Sequence, residues 1–238
     1  MKIYSNGCSF TFGDELKNPK ESAWPAILAN KFNGSLYNNA ISGGSNSRII
    51  YHTIKDSQNN YDLYLIAWTT YARWTFYKSD NNYEINFNPT LTHGLYSNEK
   101  FYKEWGETLY TVWFNELYAF KKWLQEIILL QRFLGQRPYL MVNTFANNLN
   151  LWLSDESSFI KNVKSMINFD LMNDEVIFEE FKEIQYYLSC IDTSKFYMWN
   201  NFSITTLRSK FDCGPRGHFL EEGHTHLAEL IYNHLCLK

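Results

Sequence analysis

Hydrophobic and polar positions follow two rhythms along this chain. Short apolar runs predict strands at Lys2–Tyr4, Ser35–Ile41, Asp62–Trp68, Pro138–Thr144 and Lys195–Trp199. The run DLYLIAW is nearly all apolar, the pattern of a strand covered on both faces of a parallel sheet. Between the strands, apolar residues recur at helical spacing. Ser22 caps a segment with Pro25 in its first turn and Trp24, Ile27, Leu28 and Phe32 on one face. Asn46 caps a second helix that reaches about Lys55, with Ile50 and Ile54 facing inward. Thr108–Leu134 is predicted as the longest helix and stops at Gly135. Residues 175–188 form an amphipathic helix, and a final helix starts near Glu221 with Leu227, Leu230 and Ile231 on one face.

Strands that alternate with helices predict a mostly parallel sheet with right-handed crossovers, the α/β class. No repeat and no Gly-, Ser- or Pro-rich linker divides residues 1–238, so one domain is expected. Residues 75–106 stand apart as an aromatic, Asn-rich excursion or lid without periodicity. In such sheets, ligands bind beyond the carboxyl ends of the strands. The loops GCSFTFGDE, ISGGSN and WTTYAR therefore hold the candidate chemistry.

Composition narrows the classes. Apolar residues make up 45% and charged residues 20% of the 238, which excludes a disordered chain. With 22 basic against 25 acidic residues and no basic run, no nucleic-acid partner is expected. No apolar stretch reaches the roughly 18 residues of a membrane span. MKIYSNGCSF lacks the apolar run of a secretion signal, and the cysteines show no paired spacing. A cytoplasmic or virion-associated protein with free thiols is expected.

Ser9 follows the first strand directly, behind Gly7 and ahead of Gly13. A serine at such a turn projects its hydroxyl over the sheet edge, with its own N–H where an oxyanion would form. The plainer reading is that Ser9 only caps a helix. Near the other terminus, GHFLEEGHTHLAELI places His218 in a loop just before the last helix. From there an imidazole can reach back over the sheet and serve Ser9 as general base.

Gly7-Cys8-Ser9-Phe10-Thr11-Phe12-Gly13, Asn38-Asn39-Ala40-Ile41-Ser42-Gly43 and His218-Phe219-Leu220-Glu221-Glu222-Gly223-His224 together resemble three sequence blocks of the SGNH (GDSL-like) hydrolases. Cys8 stands where Asp is commonest in the first block. The resemblance implies a three-layer, flavodoxin-like α/β sandwich, an oxyanion N–H from Gly43, and His218 as the catalytic histidine.

Two positions depart from that pattern. The third block reads Gly-x-Asn-Asp, and its Asn completes the oxyanion hole; here the stretch is Ala67-Trp68-Thr69-Thr70, with Thr69 in place of Asn. Losing such a donor costs roughly 10²–10³ in rate. Thr69 or the neighbouring Asn46 is the candidate replacement. The acid is expected three residues before the histidine, where Pro215 stands; Asp212 is favoured instead, across a Gly-Pro turn. Glu221 with His224 is the rival pair, and a Ser–His dyad without an acid is the third arrangement.

His218, His224 and His226 with Cys213 do not have zinc-site spacing, because positions i and i+2 lie on opposite helix faces. No metal or cofactor is expected. His224 is read as a packing residue and His226 as solvated. Trp68 and Arg73 are candidate substrate contacts, Arg73 for an anionic group; the plainer readings are a packed Trp68 and an Arg73 paired with a carboxylate.

The expected activity is therefore hydrolysis of a small-molecule or glycan ester through an acyl-enzyme, with an O-acetylated carbohydrate suggested by the aromatic loop. A degenerate fold retained as a binding or virion-type structural module, or an acyltransferase, are the competing classes.

Overall fold

In the computed structural model, residues 1–78, 83–87, 100–147, 149–165 and 173–237 are described. The chain runs β1 (Lys2–Asn6), α1 (Ser9–Phe12), α2 (Pro19–Ser22), α3 (Trp24–Lys31), β2 (Ser35–Asn38), α4 (Asn46–Asp56), β3 (Leu63–Trp68), β4 (Trp74–Lys78) and β5 (Tyr83–Phe87). It continues through α5 (Lys100–Thr108), α6 (Glu116–Leu134), β6 (Tyr139–Asn143), α7 (Leu149–Trp152), α8 (Glu156–Ser165), α9 (Asp174–Cys190) and α10 (Glu221–Cys236).

The main sheet has the order β2-β1-β3-β6, and every pair in it is parallel. All six residues of β3 are buried, since successive side chains serve opposite faces. Tyr64, Ile66 and Trp68 join Ile49 of α4 and Phe120, Trp123, Leu124 and Ile127 of α6. Leu63, Leu65 and Ala67 join Trp24 and Leu28 of α3 and Leu227 and Ile231 of α10. Each fully buried large apolar side chain stabilises the fold by about 1.5–3 kcal/mol, so the two cores hold the sheet between its helices. Because the strands are parallel, their carboxyl ends share one edge, and the three candidate loops gather there.

Several elements differ from their sequence patterns for local reasons. The predicted Thr108–Leu134 helix is interrupted. A wide π-type turn spans Leu109–Trp113, and α6 begins only after Asn115, whose side chain accepts the Tyr118 N–H at 2.8 Å. That cap satisfies a helix-start donor, so a fresh helix replaces continuation. The predicted strand Lys195–Trp199 shrinks to a bridge between Phe196 and Met141, and the positive φ of Met198 (48°) ends the extended run. Strand β2 stops at Asn38, whose Oδ1 accepts the Ala40 N–H and turns the chain.

Within the 75–106 excursion, β4 and β5 form an antiparallel hairpin. The hairpin is fastened to α4: Glu84 pairs with Arg48 and His52, and Thr75 meets Ser45 at 2.6 Å. The rings of Phe76, Phe87 and Trp105 pack on one another. Residues 79–82 and 88–99, on which the lid reading also falls, lie outside the described residues. No helix among the described residues is long and apolar enough to cross a membrane.

Candidate active site

The turn after β1 is set by packing. A Cβ on Gly7 would lie 2.4 Å from Thr11 Oγ1 and 3.0 Å from Ala67 Cβ, so only glycine lets the chain pass β3 and fold straight into α1. The Asn6 Oδ1 accepts the Gly7 N–H at 2.9 Å, and its Nδ2 donates to the Tyr4 hydroxyl at 2.9 Å. Ser9 is the first residue of α1, where an N–H has no acceptor within the helix.

Ser9 Oγ lies 2.8 Å from Nε2 of His218, and Nδ1 of that ring lies 2.8 Å from Glu15 Oε2. With the proton on Nδ1, the ring donates to Glu15 and leaves Nε2 to accept from the Ser9 hydroxyl. Glu15 is locked in place from the same side: its Oε2 also accepts the His218 N–H (3.0 Å) and its Oε1 accepts the Arg216 N–H (2.8 Å). Burial alone would raise the Glu15 pKa, but these N–H donors and the His218 ring outweigh it and hold the carboxyl below its ordinary value. The Glu15 backbone sits at φ 72°, a left-handed conformation that costs a non-glycine residue about 1–2 kcal/mol. Such strain persists only where its surroundings enforce it.

The neighbouring Asp14 ties in the second loop. Its Oδ2 accepts the Ser42 hydroxyl at 2.6 Å and faces Arg216 Nη1 at 3.9 Å. Gly43, next in that loop, is buried, and among the described residues no acceptor takes its N–H. Three consecutive residues, Gly13-Asp14-Glu15, thus join the Ser9 turn to both the Gly43 loop and the His218 loop.

The other expected site residues are placed differently. Asp212 is exposed, and the Nδ1 it was expected to orient is occupied by Glu15, so the acid facing His218 is corrected to Glu15. Asn46 does not offer a free amide. Its Oδ1 accepts the Thr69 N–H at 2.8 Å, while Nδ2 donates to the Thr69 and Thr70 carbonyls at 3.2 and 3.4 Å. It holds the third loop rather than contributing an oxyanion donor. Thr69 is fully buried, and its hydroxyl has no partner among the described residues. Trp68 is not a substrate contact: as the last residue of β3 it points into the α4–α6 core and is 0% exposed.

The rival histidine is packed away. His224 is buried in α10, and its Nδ1 accepts the Trp24 N–H at 3.1 Å. Burial, with a smaller contribution from the His218 charge, pushes its pKa down to about 3. Glu221, its expected partner, is exposed.

Arg73 is 8% exposed, and its Nε and Nη1 are buried without a hydrogen-bond partner; no carboxylate among the described residues pairs with it. Its guanidinium lies 5.2 Å from the centroid of Phe145. A cation–π contact contributes about 0.5–2 kcal/mol, whereas an uncompensated buried charge costs about 3–5 kcal/mol. The ring does not offset the burial. A cavity of about 460 Å³, lined by residues including Ala146, Leu149, Trp199 and Phe202, lies beyond the β6 loop and includes none of Ser9, Glu15 and His218.

Glu15 is the residue that sequence reasoning missed. It stands in the same GDE stretch that closes the Ser9 loop, beside the nucleophile in sequence, whereas the family spacing points to an acid beside the histidine.

No protein-family model and no curated protein matches the chain. Among solved structures it is similar to a G-D-S-L family lipolytic protein from Desulfitobacterium hafniense, with TM-score 0.45, 11% identity and 98% of each chain covered. It is also similar to esterase EstA from Pseudoalteromonas, with TM-score 0.45 and 12% identity over 98% of this chain and 94% of that one. Phospholipase A1 from Streptomyces albidoflavus gives TM-score 0.44 and 10% identity over 98% of each chain. The solved structures that this chain is similar to, along nearly its whole length, thus include GDSL-family lipolytic proteins and esterases.

Proposed function

We propose that the protein is a serine ester hydrolase of SGNH type that cleaves a short acyl ester through an acyl-enzyme. The observation that carries this reading is the unbroken hydrogen-bond chain Ser9 Oγ–His218–Glu15, with 2.8 Å at each step. Ser9 Oγ attacks the ester carbonyl as Nε2 of His218 takes its proton. Glu15, already ionised, stabilises the imidazolium and keeps the reactive tautomer. In this reading the Ser9 and Gly43 N–H groups serve the developing oxyanion. His218 then returns the proton to the departing alcohol, and water, activated by the same ring, releases the acid and restores Ser9.

The Ser9 hydroxyl is the group to remove. Ser9→Ala is expected to abolish both turnover of p-nitrophenyl acetate and labelling by a fluorophosphonate probe, while the melting temperature stays close to the parent's. Parental esterase activity in Ser9→Ala would overturn the proposal.

A further inference from the structure

The loops after β3 and β6 are bonded to each other and carry an unusual share of unmet polar atoms. Thr144 donates its N–H to the Trp68 carbonyl at 2.8 Å, and Asn147 Nδ2 donates to the Thr69 carbonyl at 3.1 Å. On these two loops Thr69 Oγ1, Thr144 Oγ1, Asn147 Oδ1, and Nε and Nη1 of Arg73 are all buried with no partner among the described residues. Native proteins leave few buried polar groups unpaired, and each such group calls for an explanation.

Arg73 is the informative member. It carries a permanent charge, and its planar donor fork matches an oxyanion. Among the described residues no carboxylate pairs with it. Phe145 presents a ring face, and the half-buried Tyr110 phenol, its pKa raised by desolvation, donates to the Ala72 carbonyl at 2.8 Å. The position of Arg73 also connects to the Ser9 turn: Phe145 meets Phe10 edge-on at 6.0 Å between centroids, and Phe10 lies 4.7 Å from the His218 ring. A cation unpaired among the described residues and held two aromatic rings from the nucleophile's base is placed to bind part of the molecule that Ser9 attacks.

We propose that Arg73 is a specificity residue for an anionic substrate: the ester cleaved at Ser9 carries a second group, a carboxylate or similar oxyanion, that pairs with the Arg73 guanidinium. This rests on the hydrolase reading above and adds the class of substrate. An arginine kept for a ligand leaves the free protein less stable than it could be, whereas a structural arginine stabilises it.

Binding to protein carrying Ser9→Ala tests the anion site without turnover. Monoethyl succinate, which has one ester and one carboxylate, is expected to bind by calorimetry at least tenfold more tightly than diethyl succinate. Adding Arg73→Met should weaken monoethyl succinate binding by roughly 10- to 100-fold, the worth of a charge-assisted contact, and Arg73→Lys should retain part of it. Without ligand, Arg73→Met should melt at or above the parent temperature. Equal binding of the two esters, binding unaffected by Arg73→Met, or a lower melting temperature in Arg73→Met would each overturn the proposal. Hydrolysis of p-nitrophenyl esters by the wild-type protein is scored separately. If it fails while monoethyl succinate still binds through Arg73, the hydrolase reading falls and the anion site stands.

Discussion

Glu15 Oε2 lies 2.8 Å from Nδ1 of His218, although 203 positions separate the two residues in the chain. The carboxylate also accepts the backbone N–H groups of Arg216 and His218, so it holds the whole histidine loop and not the ring alone. One acid therefore couples the shape of the C-terminal loop to the orientation of the candidate base.

Replacing that acid discriminates between the two carboxylates. Glu15→Gln is expected to lower kcat for p-nitrophenyl acetate by roughly 10²-fold or more, the scale of general acid–base catalysis. Asp212→Asn, a surface change, should leave kcat within about twofold. Steady-state kinetics with both variants checks this, and the reverse ranking would return the acid to Asp212.

Gly214 enforces the contact from the other side. A Cβ at this position would lie 2.5 Å from Glu15 Oε1 and 2.6 Å from its Cδ. Gly214→Ala must push the carboxylate or the loop aside, and a displacement on the scale of 1 Å can cost about 10²-fold in rate. The expected signature is a fall in kcat with little change in KM.

Asn46 spans the third loop with both ends of its amide. Asn46→Ala leaves the buried Thr69 N–H without its acceptor, so chemical denaturation should show a loss of about 1–3 kcal/mol. Esterase activity should fall with it, because Thr69 and Arg73 lie on the loop that Asn46 anchors. A variant with parental stability would show that the Asn46–Thr69 contact is dispensable.

His224 sets a pH dependence of stability. The unfolded imidazole takes up a proton below about pH 6.5, whereas the buried ring does so only near about 3. Between those values the unfolded state binds more protons, so stability is full above the window and falls as pH drops through it, by up to about 1.4 kcal/mol per unit. His224→Asn keeps an acceptor for the Trp24 N–H and removes the titration. Its melting temperature should therefore vary less between pH 6.5 and 4 than the parent's.

The sheet was legible in the sequence because its signals are local and strong. An apolar run such as DLYLIAW has no stable fate except burial on both faces, and β3 spans Leu63–Trp68 within it. Where structure and pattern differ, a single competing residue decides: Asn115 caps a new helix where periodicity alone continues the old one. In the same way, Met198 ends a run whose composition suits a strand.

At the site, local patterns pointed to Ser9 and His218, each beside a turn or helix start that constrains the backbone over a few residues. Which groups touch them was settled by the fold. Asp212 is six residues from His218 in sequence yet lies exposed, while Glu15 reaches the ring because α10, packed with α3 on the sheet, brings the loop ahead of it back to the Ser9 turn. Asn46, Trp68 and Arg73 all belong to loops or strand ends that the sequence placed at that edge. Whether each side chain faces the edge, the core or a neighbouring backbone depends on the sheet's twofold alternation and on hydrogen-bond partners distant in the chain. The sequence by itself determined the four strands of the parallel sheet, the main helices packed on them and the edge where chemistry is concentrated; the tertiary structure alone decided which further side chains meet Ser9 and His218 there, because hydrogen-bond geometry is fixed by distances that no local pattern encodes.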